Sequence, residues 1–591
     1  MRHAGTGVGF LRRTKIVATI GPACRTEAGM VALAEAGMDV ARINLSHLRG
    51  NELAQTLAAF SAVRDRVQRP LGLMLDTRGP EVRTGPGPGP AELQVGATFV
   101  LTERDVPTTA ESAHVNLPDL PRRVRPGQVA LIDDGNLVLT VTEVAGDEVR
   151  CRVESGGPLL PGKKVDLPGV DLGLPVLTEA DERDLREGLA AGADFIAISF
   201  VNGPEDVVTV RRFCEAINAA PSLISKIETG RGVAAIDAIL KVSDGVMVAR
   251  GDLGVEIRTA DVPIIQKDLI RRCLLVGKPV ITATQMLESM VEHPRPTRAE
   301  ASDVANAILD GSDAVMLSAE TAVGIDPPRV VRTMAEIAER AEVELARQVR
   351  PRSTETKTVS VTQAVSLVTC ELAADLGAAA IVTPSESGHT ARMVARHRPA
   401  TPIVAVTSRP EVLRRLTLVW GVRPLLISRT TSSDAMIATA LSRALEAGAV
   451  KSGDLVVLTA GVPVGVPGTT NMVQVHTIGD VLVRGTGVGT RPATGRVAIV
   501  RGAADAAQAF HDGDVLVAVV TDRDLVPFMQ RAAAIVCEEE GLTSHAAVVG
   551  VTLGIPVVVG AAGAAYRLPA GEMVTVDPAR GLVYRGQVHV M

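Results

Sequence analysis

The sequence predicts an α/β protein built on a closed (β/α)8 barrel, and three observations carry that prediction. Eight short apolar runs, KIVATI, DVARINL, LGLMLDT, FIAISF, LISKIE, GVMVAR, PVITAT and AVMLSAE, alternate with helix-length segments between Lys15 and Glu320. The runs lack polar alternation, as strands buried on both faces do. Nearly every run also ends on a polar or charged residue, and barrel active sites are assembled at the strands' C-terminal ends. A doubly wound open sheet is the competing reading, but it does not need eight strands.

In chain order the run ends offer Thr19, Arg42 with Asn44, Asp76 with Thr77, and Ser199. Lys226 with Glu228, Arg250 with Asp252, Thr284, and Ser318 with Glu320 follow. Polar ends are costly in a core unless a wet site lies there. The most informative are Glu228 and Asp252, with Lys226 two positions before the first. Hard divalent cations take carboxylate oxygens, and Mg²⁺ is commonly held by one or two carboxylates plus substrate phosphates. An ammonium fixed beside such an ion suits a phosphoryl group whose oxygens gain charge in transfer. The alternative is a pair of solvated strand-end acids, with Lys226 in a structural ion pair to Glu228.

The barrel pattern is interrupted from about residue 85 to 164. GPGPGP opens the insert, and then NLVLTVTEV, a tight AGDE turn and EVRCRVES alternate apolar with polar residues. This predicts an antiparallel hairpin in a small β-barrel domain, placed on a Gly/Pro hinge to act as a lid. The barrel is thus expected over 1–84 and 165–345, with the lid over 85–164. A second α/β unit is expected over 346–480, from AAAIVTPS, PIVAVTS, RPLLIS and DLVVLTAG alternating with helices such as ESGHTARMVARH. A fourth, β/α swivelling-type unit is expected over 483–591, from GRVAIV, DVLVAVV, AAIVCEE, PVVVG and MVTVD.

At 591 residues one core is too few. Aromatics are 2%, so Val, Leu, Ile, Ala and Met must fill the cores, and the net charge of −6 gives no reason to expect nucleic-acid binding. Six scattered cysteines without a CxxC pair favour free thiols in a reducing compartment. MRHAGTGVGFLRRTK lacks the apolar segment of a signal peptide, and no run is long enough to span a bilayer. A cytoplasmic protein without a membrane partner is expected.

The stretches TKIVATIGPAC, ARINLSH, MLDTRGPEVRTG, SKIET, DGVMVARGDLGVEI, KPVITATQMLESM, RPTRAEASDVANAILDGSDAVMLSAET and SGHTARMVARHRP together resemble the pyruvate kinase family, over nearly the whole chain to about Asp480. The resemblance implies a TIM barrel and phosphoryl transfer from phosphoenolpyruvate to ADP, giving pyruvate and ATP in the last step of glycolysis. Glu228 and Asp252 then match Mg²⁺ (or Mn²⁺) ligands, and Lys226 matches the lysine against the transferred group. Arg42 matches the arginine on the phosphate, where a planar fork suits bidentate contact. Gly251, Asp252 and Thr284 match substrate-binding positions. Asn44, Ser46, Asp76 and Thr77 match K⁺ ligands, and Glu81 is the residue type that accompanies K⁺ dependence. Thr284 lies where the enolate is protonated, with relay from water expected, and Ser318 and Glu320 belong to the proton path or to strand-end hydrogen bonding. Asn44, His47, Arg83 and Lys163 lie toward the nucleotide, His47 being equally readable as a hydrogen-bonded loop residue.

Further along, Thr383, Ser385, Ser387, Gly388 and Thr390 in TPSESGHT resemble the family's loop for a phosphorylated effector, a sugar phosphate or AMP. The alternative is a helix start capped by Ser387 or Thr390. The family also implies a homotetramer and allosteric regulation. Beyond residue 480 the chain resembles the swivelling phosphohistidine domain of phosphoenolpyruvate-utilising enzymes, with His545 of LTSHAA where phosphate would be carried. The usual Gly-Gly before that motif is Glu540-Gly541, and no ATP-grasp segment is evident. A structural or regulatory appendage is therefore favoured over phosphotransfer. Asn202, Asp166 and Asn136 depart from the family's frequent arginine, asparagine and apolar residue, which bears on lid closure and substrate affinity. Two other functions remain open at this point: a barrel lyase or aldolase with an acidic Mg²⁺ site, and a catalytically silent effector-binding or phosphohistidine carrier protein.

Overall fold

The computed structural model describes residues 12–48, 50–345, 360–430, 432–461, 470–479 and 481–588. The ends of the expected barrel and α/β segments at 1–11 and 346–359, and the junction at residue 480, lie outside the described residues.

All eight apolar runs are strands: β1 (Lys15–Thr19), β2 (Val40–Asn44), β3 (Gly72–Asp76), β4 (Phe195–Ile198), β5 (Ser222–Ile227), β6 (Gly245–Ala249), β7 (Val280–Ala283) and β8 (Ala314–Leu317). They pair in parallel in sequential order, and β1 closes the cylinder against β8. Alternate residues point inward and outward. Val17, Val40, Met74, Phe195, Ile224, Met247, Ile281 and Met316 fill the interior, while Ile16, Ala18, Ile43, Leu75 and Ile196 pack beneath the surrounding helices. Both faces are buried, which is why the sequence of each strand is apolar throughout.

Helix boundaries follow local chemistry. Helix Glu179–Ala190 starts on a capping box between Thr178 and Asp181, and helix Arg298–Asp310 on one between Thr297 and Glu300. The second ends at Gly311 with φ 113°, a backbone region that glycine tolerates.

The insert forms a six-stranded sheet in which Leu137–Ala145 and Glu148–Ser155 are the expected hairpin. The connection to the barrel is not the Gly-Pro run, whose Gly85 N–H and Pro86 carbonyl bond to His114 and Thr108 inside the insert. Two crossing segments make the connection instead, paired at Arg83 and Lys164, with the Val165 N–H on the Val82 carbonyl at 2.8 Å. A paired ribbon satisfies its own backbone groups, which a Gly-Pro linker cannot.

The chain divides into two compact units. The first holds the barrel, the insert and the parallel pair Ile403–Thr407 and Val422–Leu426. The second holds Ala380–Pro384 parallel to Leu455–Ala460, which in turn pairs antiparallel with Met472–Thr477. It also holds an eight-stranded mixed sheet formed by 481–585. Three of that sheet's strands, Val481–Arg484, Thr486–Val488 and Leu582–Arg585, are not among the expected apolar runs. All six cysteines are buried free thiols, and among the described residues no helix is long and apolar enough to cross a membrane.

Candidate active site

The strand ends converge as side-chain alternation requires. Lys226, in β5, and Glu228, just past it, are two apart and share a face. The Lys226 ammonium lies 2.9 Å from Glu228 Oε1, 3.1 Å from Asp76 Oδ1, and donates to Ser199 Oγ at 2.7 Å. Burial pushes this ammonium toward neutrality, yet Asp76 and Glu228 outweigh it and hold its pKa above the ordinary lysine value.

Arg42 completes the cluster from β2, donating through Nε to Asp76 Oδ2 at 2.6 Å and through Nη1 to Thr19 Oγ1 at 2.9 Å. Burial raises the Asp76 pKa, but Arg42 and Lys226 override it and keep this fully buried carboxylate below its usual range. Asn44 and Asp76 are register partners on β2 and β3. That register sets Asn44 beside Asp76, with Ser46 and Thr77 just beyond them in the chain. The Asn44 side chain accepts from the Ser46 N–H at 3.1 Å, and Thr77 Oγ1 accepts from the Ser199 N–H at 3.1 Å. A neutral oxygen set with one carboxylate fits a weakly hydrated monovalent cation.

Asp252 enters from helix Arg250–Glu256, which begins directly after β6. Its Oδ1 accepts from the Lys164 ammonium at 2.6 Å. Burial, and then the Asp252 charge, raise the Glu228 pKa to about 7, while Lys164 and Lys226 overcome the effect of burial on Asp252 and lower its pKa. A buried carboxylate, Glu228, beside the half-buried Asp252, both with cationic neighbours, fits a hard divalent ion that takes its remaining ligands from substrate and water. Among the described residues no group of three or more His, Cys, Asp or Glu is arranged to hold a metal by itself.

Three non-glycine residues here have left-handed backbone: Phe200 (φ 55°) after β4, and Thr284 (φ 66°) and Gln285 (φ 52°) after β7. Such conformations are costly for bulky and β-branched side chains and persist where surroundings enforce them. The Phe200 N–H donates to Glu228 Oε2 at 2.6 Å, and a Cβ at Gly79 would lie 2.9 Å from the Phe200 ring. Thr284 is held by Arg250, whose Nη2 donates to its carbonyl at 2.6 Å and whose Nη1 is anchored on Asp303 at 2.7 Å. The Thr284 hydroxyl accepts from the Gly251 N–H at 2.8 Å. Glu320 is fully buried and accepts from the Ser318 and Leu287 N–H groups at 2.6 and 3.1 Å, which fixes the β8 end.

Of the residues expected toward the nucleotide, Asn44 stands beside Asp76 at the strand ends, and the other three lie further out. Arg83 pairs with Glu81 at 2.6 Å, His47 is exposed, and Lys163 binds Asp133 of the insert at 2.7 Å. The next residue, Lys164, reaches Asp252 instead, at 2.6 Å. Sequence reasoning passed over Lys164 and Phe200, because adjacent lysines are indistinguishable until the ribbon's pairing orients them. The cleft between insert and barrel encloses about 360 Å³ and is lined by Glu81, Lys164, Asp166, Phe200, Asn202 and Glu256.

The loop residues 383–390 are spread along a strand end and a short helix start. Thr383 ends buried in strand Ala380–Pro384, and the Ser385 N–H binds the Val406 carbonyl at 2.9 Å. Helix His389–Ala395 has Gly388 (φ 72°) at its cap position, so neither Ser387 nor Thr390 is the N-cap; a left-handed cap residue favours glycine there. In the second unit, His545 opens helix His545–Leu553 behind the Ser544 cap, its Nδ1 2.9 Å from Thr521 Oγ1.

Comparison with known proteins agrees with this geometry. Family models described as pyruvate kinase barrel domain, pyruvate kinase alpha/beta domain and PEP-utilising enzyme mobile domain match residues 11–331, 363–476 and 510–581. Pyruvate kinases of Geobacillus stearothermophilus and Bacillus licheniformis are 48% and 47% identical, each over 98% of this chain and 100% of the relative. A crystal structure of a pyruvate kinase from Cryptosporidium parvum superposes with a TM-score of 0.73 at 37% identity, covering 79% of this chain and 96% of that one. With a barrel match across more than half its length and end-to-end relatives at nearly half identity, the chain belongs to the pyruvate kinase family of phosphotransferases.

Proposed function

We propose that the chain transfers the phosphoryl group of phosphoenolpyruvate to ADP, forming pyruvate and ATP as the last step of glycolysis, at the C-terminal mouth of the barrel. The observation that carries this reading is the convergence of Lys226, Arg42, Glu228 and Asp252 on one small region. Lys226 and Arg42 present fixed positive charge where the equatorial oxygens of the migrating group become more negative, so stabilisation grows toward the transition state. Glu228 and Asp252 are the residues that would hold Mg²⁺ or Mn²⁺, which when bound supplies further charge neutralisation at the substrate's oxygens. Asn44, Ser46, Asp76 and Thr77 would hold K⁺. Thr284, rigidly oriented, holds a hydroxyl beside the carbon to be protonated, and its high intrinsic pKa makes it a relay for a water-derived proton. Arg83, His47 and Lys163 are assigned to the nucleotide side, with the insert over 85–164 as lid.

ATP formation from phosphoenolpyruvate and ADP in a coupled assay tests the reading, with Asp252→Asn as control. No ATP from the wild-type protein would refute it. We also assign the loop containing Thr383, Ser385, Ser387, Gly388 and Thr390 to a phosphorylated effector, in a cytoplasmic homotetramer. The support is its density of hydroxyl and N–H donors. Sigmoidal kinetics straightened by a sugar phosphate or AMP would be the positive result. The C-terminal domain is assigned a structural or regulatory role, since Glu538, Glu539 and Glu540 place negative charge just before the His545 motif.

A further inference from the structure

We propose that Lys164 is a positioning residue for the divalent-cation carboxylates: a counter-cation carried on the lid ribbon, which occupies Asp252 in alternation with the metal and passes to Asp166 when the metal binds. The inference rests on the assignment of Glu228 and Asp252 as the metal's protein ligands.

Lys164 stands on the outgoing segment of the ribbon, opposite Arg83. Its ammonium lies 2.6 Å from Asp252 Oδ1, 3.0 Å from Asp166 Oδ1 and 5.0 Å from the centre of the Phe200 ring. The neighbouring Lys163 cannot share this task, because its ammonium is committed to Asp133. Asp166 is buried, and its second oxygen, Oδ2, has no hydrogen-bond partner among the described residues. A buried carboxylate with a spare acceptor costs free energy unless a cation uses it.

Charge arithmetic gives the alternation. Asp76, Glu228, Asp252 and Asp166 present four carboxylates to three cations, Arg42, Lys226 and Lys164. A dication on Asp252 would place two more positive charges against the Lys164 ammonium, which cannot stay 2.6 Å from the same oxygen without strong repulsion. Asp166 is already in contact and has acceptor capacity left, so the ammonium moves only within its own side-chain reach. Metal loading would thereby loosen the tie between ribbon and barrel while keeping the ammonium in the cleft.

The test is Mn²⁺ binding to the full-length protein without substrate, read by electron paramagnetic resonance of free Mn²⁺. Lys164→Met removes the competitor and is expected to tighten Mn²⁺ about tenfold. Asp166→Asn removes the alternative berth and is expected to weaken Mn²⁺ several-fold. Unchanged or weaker binding in Lys164→Met overturns the proposal. If that variant does not fold, unchanged or tighter binding in Asp166→Asn overturns it alone. Asp252→Asn should abolish high-affinity binding; if it binds as the wild type does, the metal assignment itself falls, and the proposal with it. Failure in the Lys164 and Asp166 arms with loss in Asp252→Asn leaves the metal assignment standing.

Discussion

Lys226 and Asp76 approach to 3.1 Å from β5 and β3, strands that are not neighbours but flank β4 in the closed cylinder. The contact joins the residue assigned to the phosphoryl group with one assigned to K⁺. It makes the two proposed cation sites electrostatically dependent on a single ammonium.

Removing that ammonium gives the first prediction. Lys226→Met should lower kcat about 100- to 1,000-fold with a smaller change in the KM for phosphoenolpyruvate, as for loss of a group that acts mainly in the transition state. Steady-state kinetics in a coupled assay check it; an unchanged kcat would remove Lys226 from the chemistry.

Dependence on K⁺ is the second. Activity should fall sharply in buffer free of K⁺ and Na⁺, and Glu81→Lys should lessen that dependence by supplying positive charge from the chain. Equal activity with and without K⁺ in the wild-type protein would contradict the assignment of Asn44, Ser46, Asp76 and Thr77.

Backbone strain at Thr284 separates stability from activity. Thr284→Ala and Thr284→Gly both lose the hydroxyl and should lose activity, whereas Thr284→Ser should keep most of it. At φ 66° only glycine is relaxed, so Thr284→Gly should be more stable than Thr284→Ala by about 1 kcal/mol. Thermal unfolding of the two variants decides this, and an equal or lower melting temperature for the glycine variant would show that no strain resides there.

Acid stability should depend on Asp39. Its carboxylate binds Arg12 at 2.7 Å and accepts the Ile16 N–H at 2.9 Å. Burial raises its pKa, but Arg12, Lys15 and Arg69 together carry it below the ordinary value. A depressed folded-state pKa means the stabilisation is complete above the unfolded value, about 4, and is lost as pH falls through the folded value. Asp39→Asn should destabilise the protein by about 3 kcal/mol at neutral pH, by leaving buried cations unpaired, and should flatten the acid limb of the stability curve. Urea unfolding at several pH values measures both; parallel curves would exclude the assignment.

The C-terminal histidine gives the last prediction. Incubation with labelled phosphoenolpyruvate should leave no acid-labile label on His545, and label that disappears in His545→Asn would reverse the assigned role of that domain.

Much of this was legible in the linear chain because its causes are local. Strands buried on both faces must be apolar throughout, so eight such runs declared themselves, and polar residues at their ends marked the mouth. Lys226 and Glu228 could be paired from sequence because alternation alone puts positions two apart on one face. In the C-terminal sheet Val481–Arg484, Thr486–Val488 and Leu582–Arg585 did not register, each carrying an arginine or a glycine, although a strand as short as Val557–Val559 did.

What only the tertiary structure decided were the relations between segments far apart in sequence. The cylinder's closure set Asp76 against Lys226, and the ribbon's pairing turned Lys164, not Lys163, toward Asp252. It also replaced a Gly-Pro hinge with two crossing segments and gave helix His389–Ala395 a glycine cap. The physical reason is common to all of these: burial and periodicity are properties of a residue and its near neighbours, whereas register and side-chain direction are fixed only when a second segment satisfies the first one's hydrogen bonds.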